Sequence, residues 1–528
     1  MDLTRIIHTN FSNAQLVWII VSIISGLISI FLFLKQKTNY SLFFLFLSGT
    51  ILRFFAADLD HFLYTWDEQY HALVAKNMIT NPFKPMLIVN PVLDYDPHNW
   101  ISNHIWLHKQ PWFLWQIALF FKLFGVSELV LRTPSAIMFS ILVLVIYRIG
   151  SLVSTKRVAW FGAFLYTFSF YFLNIVTGMQ FTDHNDVAFI FYITLSIWAW
   201  LEYIRCRKKK WVVAIGIFVG IAILNKWLVG LLVYSGWIIS ALINSVKGER
   251  IKEFKNVGIA LALTILIALP WQVYIFLAFP LESKIEFALN NSRHILDAVE
   301  GHSGPRWYHF YLLSTQYGGF LVYFVILPGL FYLLKSVRKP AIKTAFITFL
   351  IVTFSFFTIV QTKMPLYCAI VSPIIFLALG AFLDKVIQKI QEWVPSRYSN
   401  WVILPFLGIL LYMNLDINKV DVWHSSRNEF WHVQNMNAII DKEITPRTVP
   451  GMVIFNSGYQ NAAMLMFYSG STAYCHYPDA GQYKQLKRRN IKMATFAGKN
   501  IPSYLADDPS VVKFYMLPIN APLSTKNP

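Results

Sequence analysis

Charge is what this chain has least of. Asp, Glu, Lys and Arg make up 14% of its 528 residues, whereas 56% are hydrophobic and the mean hydropathy is +0.50. A soluble protein of this length needs far more polar surface, so that class is excluded. Acidic residues are the scarcer kind: 27 stand against 45 basic ones, a formal charge of +18. No basic cluster is interleaved with exposed aromatics, so no nucleic-acid partner is expected. The excess suits the short cytoplasmic loops of a membrane protein. Cysteine occurs three times, at Cys206, Cys368 and Cys475. They fall in a cytoplasmic loop, the membrane and an outer domain, so no disulfide and no thiolate metal cluster is expected. Neither a P-loop nor a G-x-G-x-x-G fingerprint occurs, and no nucleotide or other cofactor is required. Heptads, solenoid repeats and low-complexity linkers are missing too.

Long apolar runs are what the chain has in abundance. The first, Ala14 to Leu34, is long enough to cross about 30 Å of hydrocarbon, too long for a signal-peptide core, and reads as a retained transmembrane helix. Further runs predict spans near 38–57, 130–150, 158–180, 186–204, 211–226, 227–246, 257–279, 308–334, 341–360, 365–383 and 399–415, about twelve in all. Lys and Arg gather in one alternating set of loops, among them Lys156 and Arg157, Arg205 to Lys210, and Lys247 to Lys255. That set belongs in the cytoplasm, which puts both termini outside. Residues 58–110 and 280–307 are then outer loops, and "KQPWFLWQIALFFKLFGVSE" suits a helix lying along the interface. From residue 416 the apolar runs shrink to strand length, as in "GMVIF" and "VVKFYML", with helix-like segments between them. This predicts a membrane domain over 1–415 and a small α/β extracytoplasmic domain over 416–528. The run "KQLKRRNIK" reads as a solvated face.

Carboxylates and cations recur on the predicted outer side. Asp67 and Glu68 sit in "YTWDEQYHALVAKNM", just past an apolar run. Asp183 and Asp186 sit in "QFTDHNDVAFIF", in the turn before a helix, where a capping role is the plainer reading. Four cations defy the charge bias: Lys109 in "HKQPW", Lys226 in "AILNKWLVG", Arg306 in "GHSGPRWYHFY" and Lys363 in "QTKMPLY". Any one of them could be a snorkelling side chain. Together with the acids they suit a lipid-borne phosphate and the deprotonation of a hydroxyl. His108, His302 and Tyr367 flank the cations as candidate substrate contacts. His104, His108 and His302 could bind a divalent metal, although lone interfacial histidines are more often structural.

In order along the chain, these motifs resemble the polyprenyl-phosphate-sugar-dependent glycosyltransferases of GT-C fold. The pattern is similar to that of bacterial aminoarabinose (lipid A) transferases and protein O-mannosyltransferases. "WDEQYHALVAKNM" resembles the acidic pair that opens an outer-loop helix. "HKQPWFLWQIALFFKLFGVSELVLRTPSA" resembles the Lys-Pro-Pro motif, interface helix and following segment, with Gln110 in place of the first proline. "LNKWLVG" resembles a Thr-Lys-Gly-Pro motif without its glycine and proline, and the first helix is an addition to the simplest pattern. The resemblance covers most of residues 50–380. It implies a polytopic α-helical, GT-C-like fold and transfer of a single sugar, with inversion, from a polyprenyl-phosphate donor to a lipid, glycan or protein hydroxyl. It implies Asp67 as general base or its positioner, supported by Glu68, and Asp186 as second carboxylate, with Asp183 as substitute. Lys109, Lys226 and Lys363 would hold the phosphate, with Arg306 assisting. It also implies a multi-pass protein of the inner (plasma) membrane acting on the extracytoplasmic face.

Two other readings compete. Twelve helices also suit a transporter or lipid flippase, but the halves show no evident similarity and the charges gather at the boundary rather than mid-membrane. An inactive scaffold of envelope assembly is the third, and the intact acidic pair argues against it.

Overall fold

The structure is a computed structural model and describes residues 11–95, 98–99, 101–179, 183–289, 293–395, 398–414, 437–498 and 500–515. In chain order the helices are α1 (Asn13–Leu34), α2 (Thr38–Ala57), α3 (Asp67–Met78), α4 (Trp112–Phe124), α5 (Glu128–Val153), α6 (Lys156–Thr167), α7 (Phe170–Asn174), α8 (Asp183–Cys206), α9 (Lys209–Lys226), α10 (Leu232–Asn244), α11 (Lys247–Ala278), α12 (Pro280–Ala288), α13 (Tyr308–Tyr317), α14 (Val322–Ser336), α15 (Pro340–Ile359), α16 (Ser372–Gln391) and α17 (Ile403–Asn414). The C-terminal part follows as β1 (Val453–Phe455), α18 (Tyr459–Ser469), β2 (Thr472–Ala473), α19 (Ala480–Arg488), β3 (Met493–Phe496), α20 (Ser503–Ala506) and β4 (Val512–Phe514). The chain forms two compact units. One holds Met1–Leu59, Arg132–Ala278 and Glu286–Val422; the other holds Asp60–Leu131, Phe279–Ile285 and Trp423–Pro528.

The first unit is helical and apolar. Seven of the described helices are long and apolar enough to cross a membrane, and α13 with α14 adds an eighth if the pair, bent by 88°, is one span. The sequence reading expects about twelve spans, and several of the remaining expected runs are shorter or interrupted, for reasons that lie in the chain. The predicted 158–180 run breaks after Thr167 and restarts at Phe170. Gly318 and Gly319, both in the left-handed region (φ 113° and 89°), turn the chain between α13 and α14. Helix α9 carries three lysines at its ends, and α10 has only 13 residues.

Small polar and small apolar residues pack these helices. Ser22 and Ser29 of α1 bond reciprocally with Ser48 and Ser41 of α2, each hydroxyl donating to the partner's carbonyl at 2.7–3.0 Å. Such bonds serve where lipid offers no hydrophobic drive to association. Helix α6 meets α16 where a Cβ on Gly380 would come within 2.8 Å of the Gly162 nitrogen, so only glycine permits that approach. At the Lys/Arg-rich ends, Glu202 pairs with Arg148 and Arg205 at 2.6 and 2.7 Å, Glu253 pairs with Arg207, and Asp384 pairs with Arg157.

In the second unit the C-terminal chain builds a four-stranded parallel sheet of order β2-β1-β3-β4. Each parallel pairing needs a crossover, and α18, α19 and α20 supply them. The expected strands in "GMVIF" and "VVKFYML" are β1 and β4; β2 and β3, of two and four residues, were not foreseen. Open parallel sheets bind ligands where strand order reverses, here between β1 and β3. That crevice is filled by Tyr477, whose hydroxyl accepts from Asn456 Nδ2 (2.8 Å) and the Gly498 amide (3.2 Å) and donates to the Phe496 carbonyl (3.1 Å).

The same unit joins this sheet to the segment between α2 and α4. The Tyr474 hydroxyl accepts from the amides of Val92 (2.9 Å) and Leu93 (3.1 Å), and Lys76 of α3 donates to the Phe467 carbonyl in the last turn of α18. Buried amides left without an acceptor cost about 1–3 kcal/mol. Tyr474→Phe is therefore expected to lower the thermal midpoint in detergent, read by tryptophan fluorescence, without changing the membrane-helix content.

Candidate active site

Asp67 and Lys109 meet in the second unit. Asp67 is the first residue of α3, and the residue before it, Trp66, is held at φ 68°, a conformation non-glycine residues rarely adopt. Strain of this kind is worth about 1–3 kcal/mol and persists only where the surroundings enforce it. It turns the chain abruptly, so that the helix opens on the carboxylate. Glu68 is buried and accepts from the Tyr64 amide at 2.7 Å, which fixes the entry loop. Although its sequence is polar, α3 is buried along most of its length.

Lys109 Nζ lies 3.5 Å from Asp67 Oδ2, with the two side chains 15% and 12% exposed. Burial pushes the Asp67 carboxyl up, but Lys109, His71 and His108 together outweigh it and hold the group at about 2. At neutral pH Asp67 is a carboxylate. His108 is buried beside Trp106, and His71, one turn past Asp67, is wedged between Trp106 and Phe113 with ring centroids 5.9 and 4.7 Å away. Gln69 of α3 reaches Met464 of α18, and Cys475, two residues past β2, lies within electrostatic reach of Tyr70. The His104 ring lies against Tyr95, tilted by 39°, with centroids 4.2 Å apart.

In the first unit a second carboxylate meets a second lysine. Asp186, 3% exposed in its side chain, is ion-paired with Lys226, the last residue of α9. There the helix gives way to a 3₁₀ turn, Trp227–Leu231. The ammonium also lies 4.9 Å from the ring centre of Tyr367, which begins another 3₁₀ turn, Tyr367–Val371. Both breaks free a side chain from the helical repeat and let it converge with Asp186. Tyr171 and Glu300 complete the surroundings: Asp186 acts on Tyr171, and both Asp186 and Glu300 act on Tyr367. Glu300 is exposed and left-handed, at φ 55°. Asp183 opens α8, and its side chain lies outside the described residues.

Lys363 does something the sequence did not suggest. Its ammonium donates to the carbonyls of Phe357 (2.8 Å), Thr358 (2.9 Å) and Val360, closing the C-terminal end of α15. A cation there satisfies carbonyls that the helix leaves unbonded. Three carbonyls occupy all its donors in this geometry, so Lys363 caps the helix, a role the expectation of a phosphate contact did not include. The strap around it is latched to the segment between α12 and α13. Gln361 and Thr362 amides donate to Ile295 (3.1 Å) and His294 (3.2 Å), and the Lys363 amide donates to the His302 carbonyl (2.8 Å). Thr362 Oγ1 donates to Asp297 and accepts from Val299. His302 is half-buried; Arg306 is exposed and within electrostatic reach of Lys363. Among the described residues, no three His, Cys, Asp or Glu side chains are grouped to hold a metal ion.

Residues 108–274 match the dolichyl-phosphate-mannose-protein mannosyltransferase family. An uncharacterized protein of Aquifex aeolicus is 26% identical over 66% of this chain and 65% of its own length. The undecaprenyl phosphate-alpha-4-amino-4-deoxy-L-arabinose arabinosyl transferase of Pseudomonas savastanoi pv. phaseolicola is 24% identical over 61% of this chain and 60% of its own. The matched segments thus span a little under two thirds of these relatives. Among solved structures, ArnT of Cupriavidus metallidurans bound to undecaprenyl phosphate superposes with a TM-score of 0.61 and 17% identity, covering 89% of this chain and 88% of that one. The chain has a GT-C fold. The oligosaccharyltransferase AglB of Archaeoglobus fulgidus, in complex with an inhibitory peptide and a dolichol-phosphate, shares it more loosely. Its TM-score is 0.55 at 13% identity, over 83% of this chain and 65% of that one. With its apolar helices, the GT-C chain is a multi-pass membrane protein.

Within each unit the GT-C frame brings predicted residues together: Asp67, His108 and Lys109 in one, Asp186, Lys226 and Tyr367 in the other. Sequence reasoning missed His71, Tyr171 and Glu300. Only His71 carried a signal, its i,i+4 spacing from Asp67 on a helix.

Proposed function

We propose that this protein is an integral-membrane glycosyltransferase that moves one sugar from a polyprenyl phosphate to an acceptor hydroxyl. The observation that carries the reading is the Asp67–Lys109 pair: a carboxylate opening a buried helix, set against a lysine that is partly exposed. Asp67 takes the acceptor hydroxyl's proton, directly or by orienting the acceptor. The acceptor oxygen forms a bond to the anomeric carbon from the face opposite the phosphate, so the configuration inverts. The anomeric C–O bond breaks, and its electron pair leaves with the polyprenyl phosphate. Lys109 neutralises the charge that gathers on that phosphate; Lys226 and exposed Arg306 are further candidate cations. Asp186 is the second carboxylate, with Asp183 in reserve. His108, His302 and Tyr367 contact substrate. Undecaprenyl phosphate is the carrier the likeness to ArnT supports, and the extracytoplasmic face of the bacterial inner membrane the location.

Mass spectrometry of envelope lipids, glycans and glycoproteins from a deletion strain tests this. One species is expected to lose a single sugar, while a polyprenyl-phosphate-linked sugar accumulates. An unchanged envelope, with no accumulated donor, would overturn the proposal.

A further inference from the structure

Asp67 has a base's place but not a base's freedom. A general base works best with a pKa near the working pH, and a carboxylate held near 2 is a weak one. The reason is its company. Lys109 is its ion-pair partner, and His71 and His108 add to the positive field. From its own helix Glu68, Tyr70 and His71 also stand nearby; Glu68 is bonded to the Tyr64 amide, and Tyr70 is buried. From the loop come His108 and Lys109, and the bend after β2 brings Cys475 up to Tyr70.

The contact itself is loose. At 3.5 Å it is well beyond the 2.7–2.9 Å of a strong charged hydrogen bond. Its neighbours His108 and Gln110 are buried at 5% and 2%, whereas the Lys109 side chain keeps 15% of its surface open. The backbone is therefore anchored while the ammonium can reach another anion. We propose that Lys109 is an exchangeable partner: it neutralises Asp67 while the protein is empty and passes to the donor's phosphate when lipid binds, so that Asp67 can accept a proton only with donor in place. The proposal rests on the reading of Lys109 as a donor-phosphate ligand. It adds an order of events, donor first and acceptor deprotonation second, that the pairing alone imposes. After the exchange two influences act on Asp67 in one direction. Burial, no longer opposed by Lys109, favours the neutral acid, and so does the arriving negative charge. Each unit of upward shift raises the protonated fraction about tenfold at a fixed pH above the pKa.

Dicyclohexylcarbodiimide forms a stable adduct with protonated carboxyls in apolar surroundings, so it reads Asp67 directly. The full chain in nanodiscs at pH 6 is labelled alone, with undecaprenyl phosphate and with undecaprenol, and the Asp67 adduct is counted by peptide mass spectrometry. Native mass spectrometry of the same samples reports retained lipid. The expected result is little adduct alone or with the alcohol and at least about a tenfold rise with the phosphate. Lys109→Met should show the high level without any lipid. If the lipid phosphate is retained and wild-type labelling does not change, the exchange is wrong and the donor reading stands. If the phosphate is retained no better than the alcohol, the donor reading fails and the exchange with it. The wild-type arms decide both points even if Lys109→Met does not fold.

Discussion

Asp67→Asn is expected to lower sugar transfer by about 10²–10⁴-fold, the contribution of a positioned carboxylate to proton removal. The side chain keeps its size and its place at the start of α3, but it can no longer take a proton. The ion pair with Lys109 is lost as well, and both partners are only 12–15% exposed. A modest fall in thermal midpoint should accompany the loss of turnover. The pH dependence of that stability has a fixed sign. The folded-state pKa of Asp67 is depressed to about 2, below the ordinary value near 3.9. The wild-type pair therefore stabilises fully above about pH 4, and the gain disappears as pH falls toward 2. Transfer by purified Asp67→Asn protein, assayed beside its melting curve at pH 7, decides the matter: full activity would remove Asp67 from the mechanism.

The parts of this molecule that were legible in the sequence are those written in short range. Apolar runs marked α1, α2, α8 and α15, because an element that meets lipid on its surface must be apolar for about 20 residues. The "DE" pair marked the start of α3 through its resemblance to an acidic pair that opens a helix, and acids do suit a helix's first turn. What was not legible depends on closure in three dimensions. Lys363 reads like any other boundary lysine, and only the folded strap after α15 shows its ammonium turned back onto the carbonyls of Phe357, Thr358 and Val360. The convergence of Lys226 with Asp186, 40 residues away, rests on a 3₁₀ break that "LNKWLVG" does not announce. Strands β2 and β3 are two and four residues long, too short for an alternation pattern, and exist because β1 offers both its edges.

The Asp186–Lys226 pair should show the second large effect, and here stability and function can be separated. Lys226→Met leaves a carboxylate that is 3% exposed without its cation. Breaking a buried pair from one side costs about 3–5 kcal/mol, and the lower end applies because Lys226 is itself 21% exposed. A large fall in the thermal midpoint and loss of transfer are both expected. Asp186→Asn added to Lys226→Met removes the stranded charge, and replacing both members of a buried pair by neutral groups is often close to neutral for stability. The double variant should therefore regain much of the lost midpoint. If the pair takes the proposed part in transfer, activity should stay at least about 10²-fold below wild type, because neither the cation nor the carboxylate is restored. Recovery of stability and turnover together would make the pair a packing device and leave catalysis to Asp67 and Lys109.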